Sequence, residues 1–83
     1  MEKNWNVYIL RCGDGSLYTG IAVDVLSRLA THCSGRGAKY TRGRGPLELV
    51  YREECGTNSD ALKRELEIKA LTRTEKELLI GGV

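Results

Sequence analysis

The sequence predicts a small α/β (α+β) sandwich of element order β-β-α-β-α-α, with a three-stranded, mainly antiparallel sheet flanked by helices. Three observations carry this. Two runs rich in β-formers are joined by Asp14-Gly15, a strong hairpin signal. Apolar residues then recur at the helical period behind Asp24, a capping residue. A basic segment punctuated by glycine separates these from a third strand and two more helices.

Each element has its own warrant. Trp5-Asn6-Val7-Tyr8-Ile9-Leu10 reads as a largely buried strand, and Ser16–Gly20 returns as its hairpin partner. A helix is expected over Val25–Cys33, with Val25, Leu26, Leu29, Ala30 and Cys33 as its apolar stripe. Four glycines between Ser34 and Pro46 forbid a stable helix there and make the segment a loop. Leu47–Glu53 reads as a third strand. Asn58, Ser59 or Asp60 can cap a second helix running to about Leu71, and Thr74–Ile80 forms a short third helix ending at Gly81-Gly82.

The chain has 83 residues, enough for one domain spanning 1–83. A domain of this size hides only about 60% of its unfolded surface, so the core must be thin. Charged residues make up 29% and apolar ones 41%, the balance of a soluble fold. No apolar run approaches the roughly 18 residues of a membrane span, so a cytoplasmic protein with no membrane partner is expected. Cys12, Cys33 and Cys55 are odd in number and form no C-x-x-C pair, which argues against a zinc knuckle or a disulfide framework. They are expected to be buried as small hydrophobes.

The net charge of +2 conceals an uneven distribution. Between Val25 and Leu47 lie Arg28, Arg36, Lys39, Arg42 and Arg44 with no acidic residue, whereas the remainder holds eight basic and eleven acidic residues. Such a block is what an anion-binding face requires. Arg36, Lys39, Arg42 and Arg44 can follow a nucleic-acid backbone, and Tyr40 can stack on an unpaired base.

Further residues could do chemistry. Tyr8 and Tyr18 flank the hairpin turn, and Arg28 and His32 are neighbours one turn apart on the first helix. Taken singly, each is more simply a strand aromatic, a surface arginine or a packed histidine. Glu65 stands out because Ala61, Leu62 and Ile68, its helical neighbours, are all apolar. A carboxylate on such a face needs a partner, either a cation or Lys69 at i+4. Together these residues make a sensible set for phosphodiester hydrolysis: an arginine for phosphate, a glutamate for a divalent ion, and phenols or imidazole to move a proton.

At these residues the chain resembles the GIY-YIG nuclease superfamily, in particular its small stand-alone, single-domain members. Asn6-Val7-Tyr8 stands where the first motif belongs and Tyr18-Thr19-Gly20 where the second belongs. Arg28 and His32 match the first-helix arginine and the histidine one turn later, Glu65 matches the metal-ligand glutamate, and Ser34–Pro46 resembles the basic loop of the stand-alone branch. The resemblance spans about residues 5–80. It implies an endonuclease dependent on Mg²⁺ or Mn²⁺, with Glu65 as metal ligand and Tyr8, Tyr18, Arg28 and His32 as catalytic residues. Its substrate would be nucleic acid, DNA before RNA, with specificity owed to substrate structure or to a partner protein. Asn6, Val7 and Thr19 depart from the motif letters, which keeps a non-catalytic nucleic-acid-binding module of the same fold as the alternative.

Overall fold

The computed structural model describes residues 4–37 and 39–81; Ala38 in the loop and Gly82 at the expected helix end lie outside the described residues. Its elements are β1 (Trp5–Arg11), β2 (Leu17–Ala22), α1 (Val25–Cys33), a single 3₁₀ turn (Lys39–Thr41), β3 (Glu48–Gly56), α2 (Asn58–Lys69) and α3 (Arg73–Ile80). The sheet has the order β2-β1-β3 and both pairings are antiparallel. This is the expected α+β architecture.

β1 is the central strand and is covered on both faces, which explains its unbroken apolar run. Val7 and Ile9 point to one side and pack with Ile68 of α2, while Tyr8 and Leu10 point to the other and pack with Ala22 and Val25. The alternation places Tyr8 on the α1 face of the sheet. Gly15, at φ +86°, makes the hairpin turn, and Asp14 accepts hydrogen bonds from the backbone and hydroxyl of Ser16.

Two expectations require correction. The stripe of α1 is Val25, Leu29 and His32: Val25 and His32 are buried and Leu29 packs on the core, whereas Leu26, Ala30 and Cys33 are exposed. At about 100° per residue, positions 25, 29 and 32 fall within a narrow arc, and 26, 30 and 33 lie on its flank. The histidine therefore completes the buried face. The cysteines also diverge: only Cys12 is buried, Cys55 is half-buried and Cys33 is exposed.

Helix boundaries move for local reasons. β3 continues to Gly56, whose φ of +92° turns the chain, so Thr57 becomes the cap of α2 and accepts from the Asp60 amide. Thr72 caps α3, which begins one residue earlier than expected, through a reciprocal box with Glu75. Glu77 then ties α3 to the sheet by pairing with Arg11 at 2.7 Å.

Ile68 is fully buried where α2 meets β1, whereas Leu66 on the same helix is 68% exposed. We expect Ile68→Ala to cost about 2–5 kcal/mol in denaturant unfolding. Leu66→Ala should stay within about 0.5 kcal/mol of the parent.

Candidate active site

Tyr8 sits at the centre of the site because register places it there. It lies opposite Gly20 in β2, and its ring crosses the space that a side chain at position 20 would fill. A Cβ at Gly20 would stand 2.7 Å from Tyr8 Oη and 3.1 Å from the Tyr18 ring. The glycine of the second motif is thus a steric requirement of the first motif's tyrosine.

Tyr8 Oη is hydrogen-bonded to His32 Nε2 at 2.9 Å, and His32 Nδ1 is bonded to Thr41 Oγ1 at 3.1 Å. The imidazole therefore bridges the central strand and the 3₁₀ turn of the basic loop. Tyr8, His32 and Thr41 are all nearly inaccessible to solvent. The loop approaches so closely that a Cβ at Gly37 would collide with the His32 ring at Nδ1. Tyr18 packs edge-on against His32, with ring centroids 5.3 Å apart.

Electrostatics keep this cluster neutral at physiological pH. Burial, reinforced by the neighbouring Tyr18, pushes the Tyr8 phenol up to about 12, while a hydrogen bond and the charge of Arg28 pull it back. Burial and then the charge of Glu65 raise Tyr18. Burial, followed by Arg28, lowers His32 below its ordinary value. Arg28 itself is exposed at the edge of α1 and lines an open groove of about 520 Å³ with Trp5, Ala22 and Ser27.

Glu65 comes from α2, packed on the opposite face of the sheet, yet its charge is felt by both tyrosines. Its side chain is only 16% exposed, and Lys69 Nζ lies 3.5 Å from Oε2. Of the two partners the sequence allows this carboxylate, the i+4 ammonium of Lys69 is the one in place. No cluster of three His, Cys, Asp or Glu side chains suited to a metal exists among the described residues. A divalent ion at Glu65 would accordingly take one protein carboxylate and fill its sphere from water and substrate, a habit that suits Mg²⁺.

The basic loop divides into two parts. Arg36, Lys39 and Arg42 are exposed. Arg44 is engaged: it pairs with Asp14 at 2.6 Å and lies 4.5 Å over the ring of Tyr40. Hydrogen bonds from Ser16, and then Arg44, lower the Asp14 carboxyl to about 2. Tyr40 in turn stacks on Tyr18 at 5.9 Å between centroids. The loop is thereby folded back onto the hairpin turn, where the Gly13 amide donates to the Arg44 carbonyl.

Sequence reasoning missed Thr41, Gly37 and the role of Asp14. The only advance signal for Thr41 was a hydroxyl among cations, since its partner lies nine residues away across a loop. The 25/29/32 spacing could have marked His32 as inward-facing.

Two outcomes test this geometry. Because folding depresses the His32 pKa, the unfolded chain binds the extra proton between the folded value and the unfolded value near 6.5. Stability should therefore be intact above about pH 6.5 and fall as pH drops through the folded pKa. A plot of melting temperature against pH should lose that component in His32→Gln. Separately, Gly20→Ala should cost about 1–3 kcal/mol by overpacking. It should also displace Tyr8 from His32, seen as a shift of the His32 ring resonances.

The chain matches the family model described as the GIY-YIG catalytic domain over residues 4–78. It is 56% identical over 80 residues to a UPF0213 protein of Staphylococcus epidermidis, covering 96% of each chain. Against a UPF0213 protein of Staphylococcus aureus it is 58% identical over 74 residues, covering 89% of this chain and 90% of the other. Among solved structures it resembles the solution structure of the UPF0213 protein from Bacillus halodurans (TM-score 0.61, 50% identity, 94% of this chain and 83% of that one). A protein from E. faecalis is similar at TM-score 0.62 and 39% identity, covering 95% of this chain and 88% of that one. Matched over nearly its whole length, the chain belongs to the GIY-YIG catalytic domain family.

Proposed function

We propose that this protein is a divalent-metal-dependent endonuclease that hydrolyses phosphodiester bonds in nucleic acid, DNA in preference to RNA. The observation that carries this reading is the Tyr8–His32 hydrogen bond with Tyr18 packed on both rings, a cluster whose phenols feel the charges of Arg28 and Glu65 although these residues come from β1, β2, α1 and α2.

Glu65 would hold Mg²⁺ or Mn²⁺ in place of the Lys69 ammonium. Once bound, such an ion supplies Lewis-acid stabilisation of phosphoryl oxygens. Arg28, exposed on its groove, binds the scissile phosphate and offsets the negative charge that grows on it. Tyr18, half-buried at the rim, is the phenol that meets the attacking water; the charge of Arg28 and the bound cation would favour its phenolate, which takes the proton of the water. Tyr8, closed off from solvent, braces the site by donating its 2.9 Å hydrogen bond to Nε2 of His32, an imidazole that burial and then Arg28 keep neutral. In that tautomer Nδ1–H donates to Thr41, which holds the ring in place. Exposed Arg36, Lys39 and Arg42 hold the flanking backbone, an interaction that positions substrate without reading sequence.

The test is cleavage of labelled single-stranded, duplex and branched DNA and RNA in Mg²⁺, Mn²⁺ or chelator. We expect metal-dependent cutting that falls by at least two orders of magnitude in Glu65→Gln. A wild type that binds these substrates steeply with salt yet cuts none would instead make the protein a non-catalytic binding module.

A further inference from the structure

β2 is an edge strand, and open grooves lie against both of its ends. One contains Arg28. The other, about 310 Å³, is walled by Leu17, Tyr18 and Thr19 of β2, by Tyr40 of the loop, and by Lys69 and Lys76 from α2 and α3. Neither lysine belongs to the basic block of residues 25–47. They reach the groove only because α2 and α3 fold onto the sheet face opposite α1.

We propose that this second groove is a phosphate-and-base subsite for the nucleic-acid strand beyond the scissile position, with Lys69 and Lys76 binding its phosphates. The subsite rests on the nuclease reading and extends it to a strand path along β2.

Three observations support it. The groove shares Tyr18 with the site, and Lys69 is paired with Glu65, so it is continuous with the chemistry. Lys76 has no carboxylate within ion-pair distance among the described residues, and Lys69 is 52% exposed at a long 3.5 Å from Glu65. Their charges are therefore available to a ligand, and a cation taken up by Glu65 would release Lys69 towards the groove. The facing wall is aromatic: Tyr40, 42% exposed, stacks on Tyr18. Ammonium groups facing tyrosines suit a strand that offers phosphates on one side and base faces on the other. A bare anionic peptide would use the lysines and leave the rings idle.

The experiment is fluorescence anisotropy of labelled single-stranded oligonucleotides of increasing length, titrated across a salt series in chelator. The chains compared are wild type, Lys76→Gln, Lys69→Gln/Lys76→Gln and Arg42→Ala. Removing one lysine–phosphate interaction with a single strand should reduce the slope of log K against log salt by about 0.7. We expect that reduction in Lys76→Gln, where the Lys69–Glu65 pair is untouched, and about twice as much in the double variant. We also expect wild-type affinity to rise with length to a plateau that Lys76→Gln reaches at a shorter oligonucleotide. The melting temperature should be unchanged in Lys76→Gln, because that ammonium takes no part in an ion pair among the described residues.

If Arg42→Ala weakens binding while both lysine variants keep the wild-type slope, the subsite is refuted and the nuclease reading stands. If the wild type binds no oligonucleotide, both fall together. Displacement of the oligonucleotide by polyglutamate at equal charge concentration would also overturn the subsite, by marking the lysines as an acidic-peptide surface.

Discussion

A buried hydrogen bond between a strand and a helix organises this molecule: Tyr8 Oη to His32 Nε2. Both groups are shut off from water, so each must find a partner within the protein, and an unmade bond would cost about 1–3 kcal/mol. That requirement fixes the rotation of α1 about its axis, with His32 inward and Cys33 outward. It also explains two glycines. Position 20 must be empty so that the phenol can cross β2, and position 37 must be empty so that the loop can close on the imidazole.

The same bond ties the chemistry to the loop. His32 reaches Thr41 on its other side, so the segment carrying the basic residues is also a wall of the tyrosine site. Two further interactions hold that segment down, Tyr40 stacked on Tyr18 and Arg44 paired with Asp14 across the hairpin turn. An exposed ion pair of this kind is worth only about 0–1 kcal/mol, so the latch can open for a ligand without endangering the fold. Arg44 thus has a partner at rest, while Arg36, Lys39 and Arg42 face solvent.

Much of the fold is legible in the sequence. The Asp14-Gly15 turn, the apolar run of β1 and the cap of α1 are local signals, each set by a few consecutive residues. The expectations fail where a residue's surroundings are distant in sequence. Leu26 and Cys33 look like core on composition, but α1 is turned by the histidine's hydrogen bond rather than by maximal apolar burial. β3 runs on to Gly56 because β1 offers it partners that far. The start of α3 is an exception of a different kind, since Glu75 completes a capping box with Thr72 that lies wholly within four residues.

The sequence by itself determined the element order, the concentration of cations between Val25 and Leu47, and the side-chain types at Tyr8, Tyr18, Arg28, His32 and Glu65. Turn chemistry, periodicity and side-chain type are properties of short stretches, and short stretches suffice to express them. Only the tertiary structure decided that Glu65, from the helix layer behind the sheet, has its charge felt by tyrosines that face the other layer, and that Lys69 and Lys76 converge on one groove with Tyr40. Those juxtapositions depend on how the two helical layers wrap the edge of β2. No local rule encodes that wrapping, because it follows from packing Val7, Ile9 and Ile68 on one side of β1 and Tyr8, Leu10 and Val25 on the other.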